Sequence, residues 1–247
     1  MNKFSILFLV ILLSSCASEK PKGKTAAEIL FKEAKVLMEE ERYLLATEKL
    51  NNLKNQYPYS YYATPAELLQ ADILYLQESY VEAAASYLLF RDFHPKHEQI
   101  AYVIFKIAES FFKQLPETFD RDLDSAVEAI KYYNELSSKF PKSKYSKDAQ
   151  KNIAKARQML QSKEKYIADF YFKTEVYGAA RWRYLDIIGK FENKKLKSHS
   201  IQRVIMSSFY LKEYEKCLDY SRQFFGSLNP EFREKTSDYI ANCKNKI

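Results

Sequence analysis

The chain has 247 residues, with 39 Lys and Arg against 32 Asp and Glu (a formal charge of +7), 47% hydrophobic residues and only four glycines. Acidic and basic residues alternate instead of forming blocks, which excludes a nucleic-acid footprint and describes a solvated helical surface with some attraction for anionic partners. Apolar residues recur at three and four positions with no sustained apolar–polar alternation, which excludes a sheet-built fold and predicts an all-α chain.

Residues 1–15 read as a secretory signal: Lys3 is the positive start, Phe4 to Leu13 an almost unbroken apolar run, and Ser14 and Ser15 the small residues that follow. The run is about ten residues, too short for a bilayer-spanning helix. The sequence Leu13-Ser14-Ser15-Cys16 resembles the lipobox of bacterial lipoproteins, which implies that the Cys16 thiol carries diacylglycerol and that its amine, freed by cleavage, is acylated. No other cofactor is expected. Several acyl chains make such an anchor stable where a single chain does not. Residues 16–25, rich in Ser, Lys and Glu, read as a lipidated tether. Ala17 is not the Asp of an inner-membrane retention signal, which points to the periplasmic face of the bacterial outer membrane. Removing the signal removes Lys3 and no acid, leaving 38 basic against 32 acidic residues, or +6. Cys217 and Cys243 then remain in a compartment that permits a disulfide; Cys217 equally falls where a repeat takes a small buried residue.

The rest of the chain is punctuated by Gln56-Tyr57-Pro58, Phe93-His94-Pro95 and Lys139-Phe140-Pro141. Twelve residues before each Pro stands an Ala (Ala46, Ala83, Ala129), with Leu50, Tyr87 and Tyr133 four further on and Leu53, Phe90 and Leu136 three beyond those. That spacing places a small residue and two large ones on one face of a helix, the small one letting a partner helix approach. First helices precede them, marked by Leu30, Ala34 and Leu37, by Ala71 and Leu74, and by Ala108 and Phe111; Tyr43 and Tyr80 stand at the turns. The pattern resembles the tetratricopeptide repeat. A fourth unit shows in Ala168, Tyr171, Tyr177, Ala180, Tyr184 and Ile187, with Glu192 in place of the closing Pro, and a looser fifth in Tyr214, Cys217 and Phe224. The expectation is a superhelix of about five helix-turn-helix units in two subdomains: repeats one to three over 26–145, a linking helix over 146–163, and repeats four and five over 164–247. Such solenoids present an inner groove lined by first helices.

Lipobox and repeats together, with Gln56-Tyr57-Pro58-Tyr59-Ser60, Phe93-His94-Pro95-Lys96-His97 followed by Ala101-Tyr102, and Asp120-Arg121-Asp122 in an insertion of the third repeat, resemble the BamD family of outer-membrane barrel-assembly lipoproteins. His94, His97, Asp120 and Asp122 also read as helix caps, and no third His or Cys completes a metal site with the two histidines. The resemblance implies three kinds of partner: the periplasmic domains of the barrel-forming component BamA, other assembly lipoproteins, and unfolded outer-membrane proteins. The membrane is reached through the lipid, and nucleic acid is not a partner.

The first three first-helices offer Phe31, Lys35, Met38, Leu68, Asp72, Tyr75, Tyr102 and Phe105 as a substrate-peptide groove, apolar burial giving affinity and the lysine orientation. Part of this set also reads as packing between repeats. For BamA the segment Arg181-Trp182-Arg183-Tyr184 stands out, Arg183 matching an arginine that the family uses in a salt bridge and Trp182 being the only tryptophan. Arginine and tryptophan often dominate interfaces, whereas Tyr184 reads as repeat core. The chain has no Gly-rich phosphate loop, no Gly-x-Ser-x-Gly and no His-Glu-x-x-His, so no reaction is expected. A lipidated scaffold for pilus or secretin assembly, or for envelope synthesis, is the rival binding role.

Overall fold

A computed structural model describes residues 21–247; the signal, Cys16 and the start of the tether lie outside the described residues. Those residues form eleven α-helices and no strand: α1 (Ala26–Glu39), α2 (Tyr43–Gln56), α3 (Ala63–Leu76), α4 (Tyr80–Phe93), α5 (Ile100–Lys113), α6 (Asp124–Lys139), α7 (Ser146–Lys173), α8 (Tyr177–Lys190), α9 (Lys194–Tyr210), α10 (Tyr214–Phe224) and α11 (Pro230–Lys244). Five helical hairpins follow the predicted repeats, and α11 is an additional closing helix.

The turns within repeats are built alike. In four of them the helix ends in a left-handed residue, Glu41, Glu78, Glu175 or Lys212, with φ near +60°. The following amide reaches back across the last turn (Arg42 N to Leu37 O 2.8 Å, Ser79 N to Leu74 O 3.0 Å, Val176 N to Tyr171 O 2.9 Å, Glu213 N to Ser208 O 3.0 Å), closing Schellman caps in which glycine is the usual residue. The third repeat has the insertion instead. Asp122 accepts from the Asp124 amide at 2.9 Å and caps α6, and Lys163 Nζ donates to Arg121 O at 2.8 Å, tying the insertion to α7. At the repeat ends the residue before each Pro (Tyr57, His94, Phe140) leaves the helix toward extended backbone, since proline disfavours the α region for its predecessor.

The chain divides into two compact units, residues up to Pro95 and residues 96–247. In the first, Ala34 and Ala46, both fully buried, let α1 and α2 approach, and Leu50, Leu53, Leu69 and Ile73 fill the space. Each such side chain contributes about 2 kcal/mol by burial. In the second unit α7 is the spine. Its first half buries Ala149, Ile153 and Ala156, with Ala156 packing in a cluster with Leu123 and Ala126 at the start of α6; its second half buries Ala168 against Ala180, Tyr184 and Ile187 of α8. This corrects two sequence expectations. The stretch 146–163 is not a separate linker but the first half of one 28-residue helix that also supplies the first helix of the fourth repeat. The division of the chain accordingly falls at Pro95, which places the third repeat with the fourth and fifth.

Cys217 and Cys243 form a disulfide that fastens α10 to α11, and both are fully buried. The two readings of Cys217, small core residue and bridge, both hold.

Candidate functional site

The repeat core carries a polar strut that sequence reading missed. Tyr87, Tyr133 and Tyr184, one on the second helix of each of repeats two to four, are fully buried. Each donates its hydroxyl to an acid on a first helix: Asp72 at 2.6 Å, Glu109 at 2.7 Å and Asp169 at 2.5 Å. The acid stands 15 residues before the tyrosine in repeats two and four and 24 before it in repeat three, the difference being the insertion. That recurrence was the available signal.

Asp169 has two further partners. His199 Nε2 lies 2.8 Å from it and Lys165 pairs with it, in addition to Tyr184. Burial opposes its ionisation, yet hydrogen bonds from His199, Lys165 and Tyr184 outweigh that and hold the carboxyl far below the usual carboxylate range. Burial, then the bond to Asp169, pushes the Tyr184 phenol well above its ordinary range.

The eight predicted groove residues fall on α1, α3 and α5, six in the first unit and Tyr102 and Phe105 in the second. Lys35 is exposed. Phe31 and Met38 are half-buried against the first-unit core, with Phe31 5.5 Å from the Tyr62 ring. Leu68 is buried, Asp72 receives the Tyr87 hydroxyl, and Tyr75 packs edge-on to Tyr80 at 5.3 Å. Tyr102 lies 5.9 Å from the Tyr145 ring, and Phe105 is buried and stacked on that ring at 4.7 Å. Leu68, Asp72 and Phe105 are therefore engaged in packing; Lys35 presents a side chain freely to solvent. Neither histidine caps the next helix: His94 Nε2 meets Glu67 at 2.9 Å while its backbone amide closes α4, and His97 Nδ1 accepts from the Gln99 amide at 3.2 Å, one residue before α5 begins.

On α8 the three candidates separate sharply. Arg181 turns inward, its guanidinium donating to Glu213 at 2.5 Å and to Ser208 Oγ at 3.1 Å, which ties α8 to α9 and its following turn. Arg181 in turn holds Glu213 below the usual carboxylate range, with Lys216 assisting. Trp182 is 62% exposed, and the Arg183 guanidinium lies over its ring at 5.2 Å. Arg183 also approaches Glu164 at 3.7 Å, an acid it shares with Lys190 at 3.9 Å. An exposed tryptophan with a stacked, weakly paired arginine is an arrangement suited to a partner's carboxylate and apolar surface. The inward turn of Arg181 follows from helix geometry, since neighbouring residues project about 100° apart.

No helix among the described residues is long and apolar enough to cross a membrane.

Comparison with known proteins adds a lineage. The family model described as YfiO, outer membrane lipoprotein, matches residues 24–217. The chain is 26% identical over 219 residues to the outer membrane protein assembly factor BamD of Rickettsia prowazekii, covering 88% of this chain and 87% of the relative. It is 30% identical over 209 residues to that of Neisseria gonorrhoeae, covering 78% of each. Among solved structures it aligns with the TPR2AB-domain:pHSP90-complex of yeast Sti1 at TM-score 0.44 and 12% identity, over 90% of this chain and 100% of that one; the architecture rests on the helix pairs above and not on this alignment. With most of its repeats inside the matched region, the chain belongs to the YfiO family of outer membrane lipoproteins, alongside the BamD assembly factors.

Proposed function

We propose that the chain is a lipid-anchored scaffold of the machinery that assembles proteins into the outer membrane, working by binding and not by catalysis. The relatives named as outer membrane protein assembly factors support the process. In this reading Cys16 carries the lipid and holds the chain at the periplasmic face of the membrane. Trp182 and Arg183 grip a periplasmic domain of BamA, and the first helices of the early repeats, with Lys35 at their surface, receive unfolded outer-membrane proteins. Other assembly lipoproteins complete the complex.

The observation that carries the partner surface is the exposed Trp182 ring with the Arg183 guanidinium over it, on a helix anchored by the internal bonds of Arg181. Tryptophan and arginine are the residue types that most often dominate interface energies. The test is copurification from detergent-solubilised outer membranes. Arg183→Glu and Trp182→Ala are expected to lose BamA while keeping the helical circular dichroism of the parent. Intact copurification removes this surface from the reading, and recovery of a secretin or a peptidoglycan synthase in place of BamA overturns it. Cys16→Ser is expected to abolish labelling with radioactive palmitate and to release the chain from membranes.

A further inference from the structure

Beside the Trp182–Arg183 surface, the second unit holds a cleft of about 600 Å³ between α6, α7 and the turn joining α8 to α9. Val127, Ile130, Leu160 and Phe191 give it an apolar lining, and Arg157 and Lys190 stand among them. Val127 is 52% exposed, so this apolar surface is open to water. Arg157 makes no ion pair among the described residues, and Lys190 reaches Glu164 only at 3.9 Å.

The turn itself adds Lys194, Lys195 and Lys197 at the start of α9, where the first helical turn carries no acid. None of these three lysines has an ion-pair partner among the described residues, and a helix N-terminus disfavours cations. Acids do occur here, Glu192 in the cleft and Glu164 beside it, but the five cations outnumber them. The turn keeps a positive surface against its local electrostatic preference, next to the cleft; Lys195 itself lines a neighbouring depression with Leu196, His199 and Phe232.

We propose that this cleft and turn dock a partner-protein segment bearing carboxylates on either side of an apolar side chain. The apolar group enters between Ile130 and Phe191, and the carboxylates meet Arg157 and Lys190. A lipid headgroup would satisfy the lysines, but a bilayer surface does not fill a concave pocket lined by side chains of three elements, so a peptide fits better. The site goes beyond the BamA surface and is separable from it.

The test uses the full lipidated chain in phosphatidylcholine nanodiscs and a short fluorescent peptide of alternating glutamate and leucine, read by anisotropy. Saturable binding that weakens with salt is expected, with Arg157→Glu, Lys190→Glu and Val127→Asp each raising Kd about tenfold. All three positions are exposed, and unchanged circular dichroism shows that the fold is intact. Arg183→Glu is expected to leave this binding unaltered, which separates failure here from failure of the BamA surface. Equal affinity for a glutamate–serine peptide, or indifference to the three substitutions, overturns the proposal. Capture of phosphatidylglycerol vesicles with the same substitution pattern and no peptide binding overturns it in favour of a lipid surface.

Discussion

In residues 21–95 the apolar cluster around Ala34, Ala46 and Leu50 is crossed by non-covalent polar ties, Asp72 to Tyr87 and a chain from Asn51 through Gln70, Lys54 and Glu67 to His94, whereas residues 96–247 add a disulfide to ties of the same kind. Glu109 joins Tyr133 and Asn152; Asp169 joins Tyr184, His199 and Lys165; Arg181 joins Ser208 and Glu213; and a disulfide closes α10 on α11. Apolar contacts are non-directional and tolerate small slides of one helix on another, while a satisfied hydrogen-bond network fixes register and rotation. Both units have such ties, so the difference is covalent: the second unit, which carries the exposed Trp182 and Arg183, is also closed by the Cys217–Cys243 bond.

The largest expected effect separates the units most directly. Because the bridge closes a sequence separation of 26 residues, replacing both Cys217 and Cys243 by Ala costs about 3.5 kcal/mol in the chain-entropy account, or somewhat less if the unfolded chain retains structure. Trp182 lies in the second unit and is the chain's only tryptophan, so urea unfolding followed by its fluorescence is expected to shift strongly. A transition in circular dichroism that persists at the parent midpoint would report the first unit. Complete coincidence of the two probes would break the comparison.

Next come the acids of the tyrosine pairs. Asp169→Ala strands the Tyr184 hydroxyl and Asp72→Ala the Tyr87 hydroxyl, and each is expected to cost about 1–3 kcal/mol. A loss well under 1 kcal/mol in urea titrations of either variant would show that the tyrosine–acid pair does not brace its unit. Asp169 also gives the second unit a sensitivity to low pH. Its folded pKa is depressed far below the reference of 3.8, so its contribution is present above that reference and is lost as the pH falls from there toward the folded value. The urea midpoint read by Trp182 is therefore expected to start dropping below about pH 5 and to keep dropping below pH 3, and to drop less in Asp169→Asn. At the alkaline end Tyr239, pushed from 10 up to about 12 by burial and by its bond to Tyr210, contributes stability that is present below pH 10 and lost as the pH rises through its folded value.

The smallest effect is shared. Glu78→Gly in the first unit and Lys212→Gly in the second relieve left-handed backbone at a helix end, and each is expected to stabilise by about 0.5–1 kcal/mol. A gain in only one unit would show that the two turns are not equivalent.

Much of this was legible in the sequence because repeats announce themselves by spacing. Ala46, Ala83, Ala129 and Ala180 are all fully buried where the twelve-residue interval to the closing position places them, and α1 begins at Ala26. Asp122 accepts the first amide of α6, as its residue type suggests. The fate of individual side chains was less legible. Arg181 and Arg183 look alike on the page, yet one is consumed by Glu213 and the other lies over an exposed ring; Leu68 and Phe105 have the chemistry of a peptide groove but are spent on packing. These outcomes depend on neighbours that lie far away in the chain, 32 residues in the case of Arg181 and Glu213.

By itself the sequence determined the helical period, the repeat boundaries and the residues that fill the core, because each is set by local sterics and burial that recur at fixed intervals. Only the tertiary structure decided that α7 runs unbroken from the expected linker into the fourth repeat, that the chain divides at Pro95, that Cys217 reaches Cys243, and that tyrosines anchor to acids across helices. Each of those is a contact between elements, whose energy depends on the direction and distance of a side chain and not on its identity alone.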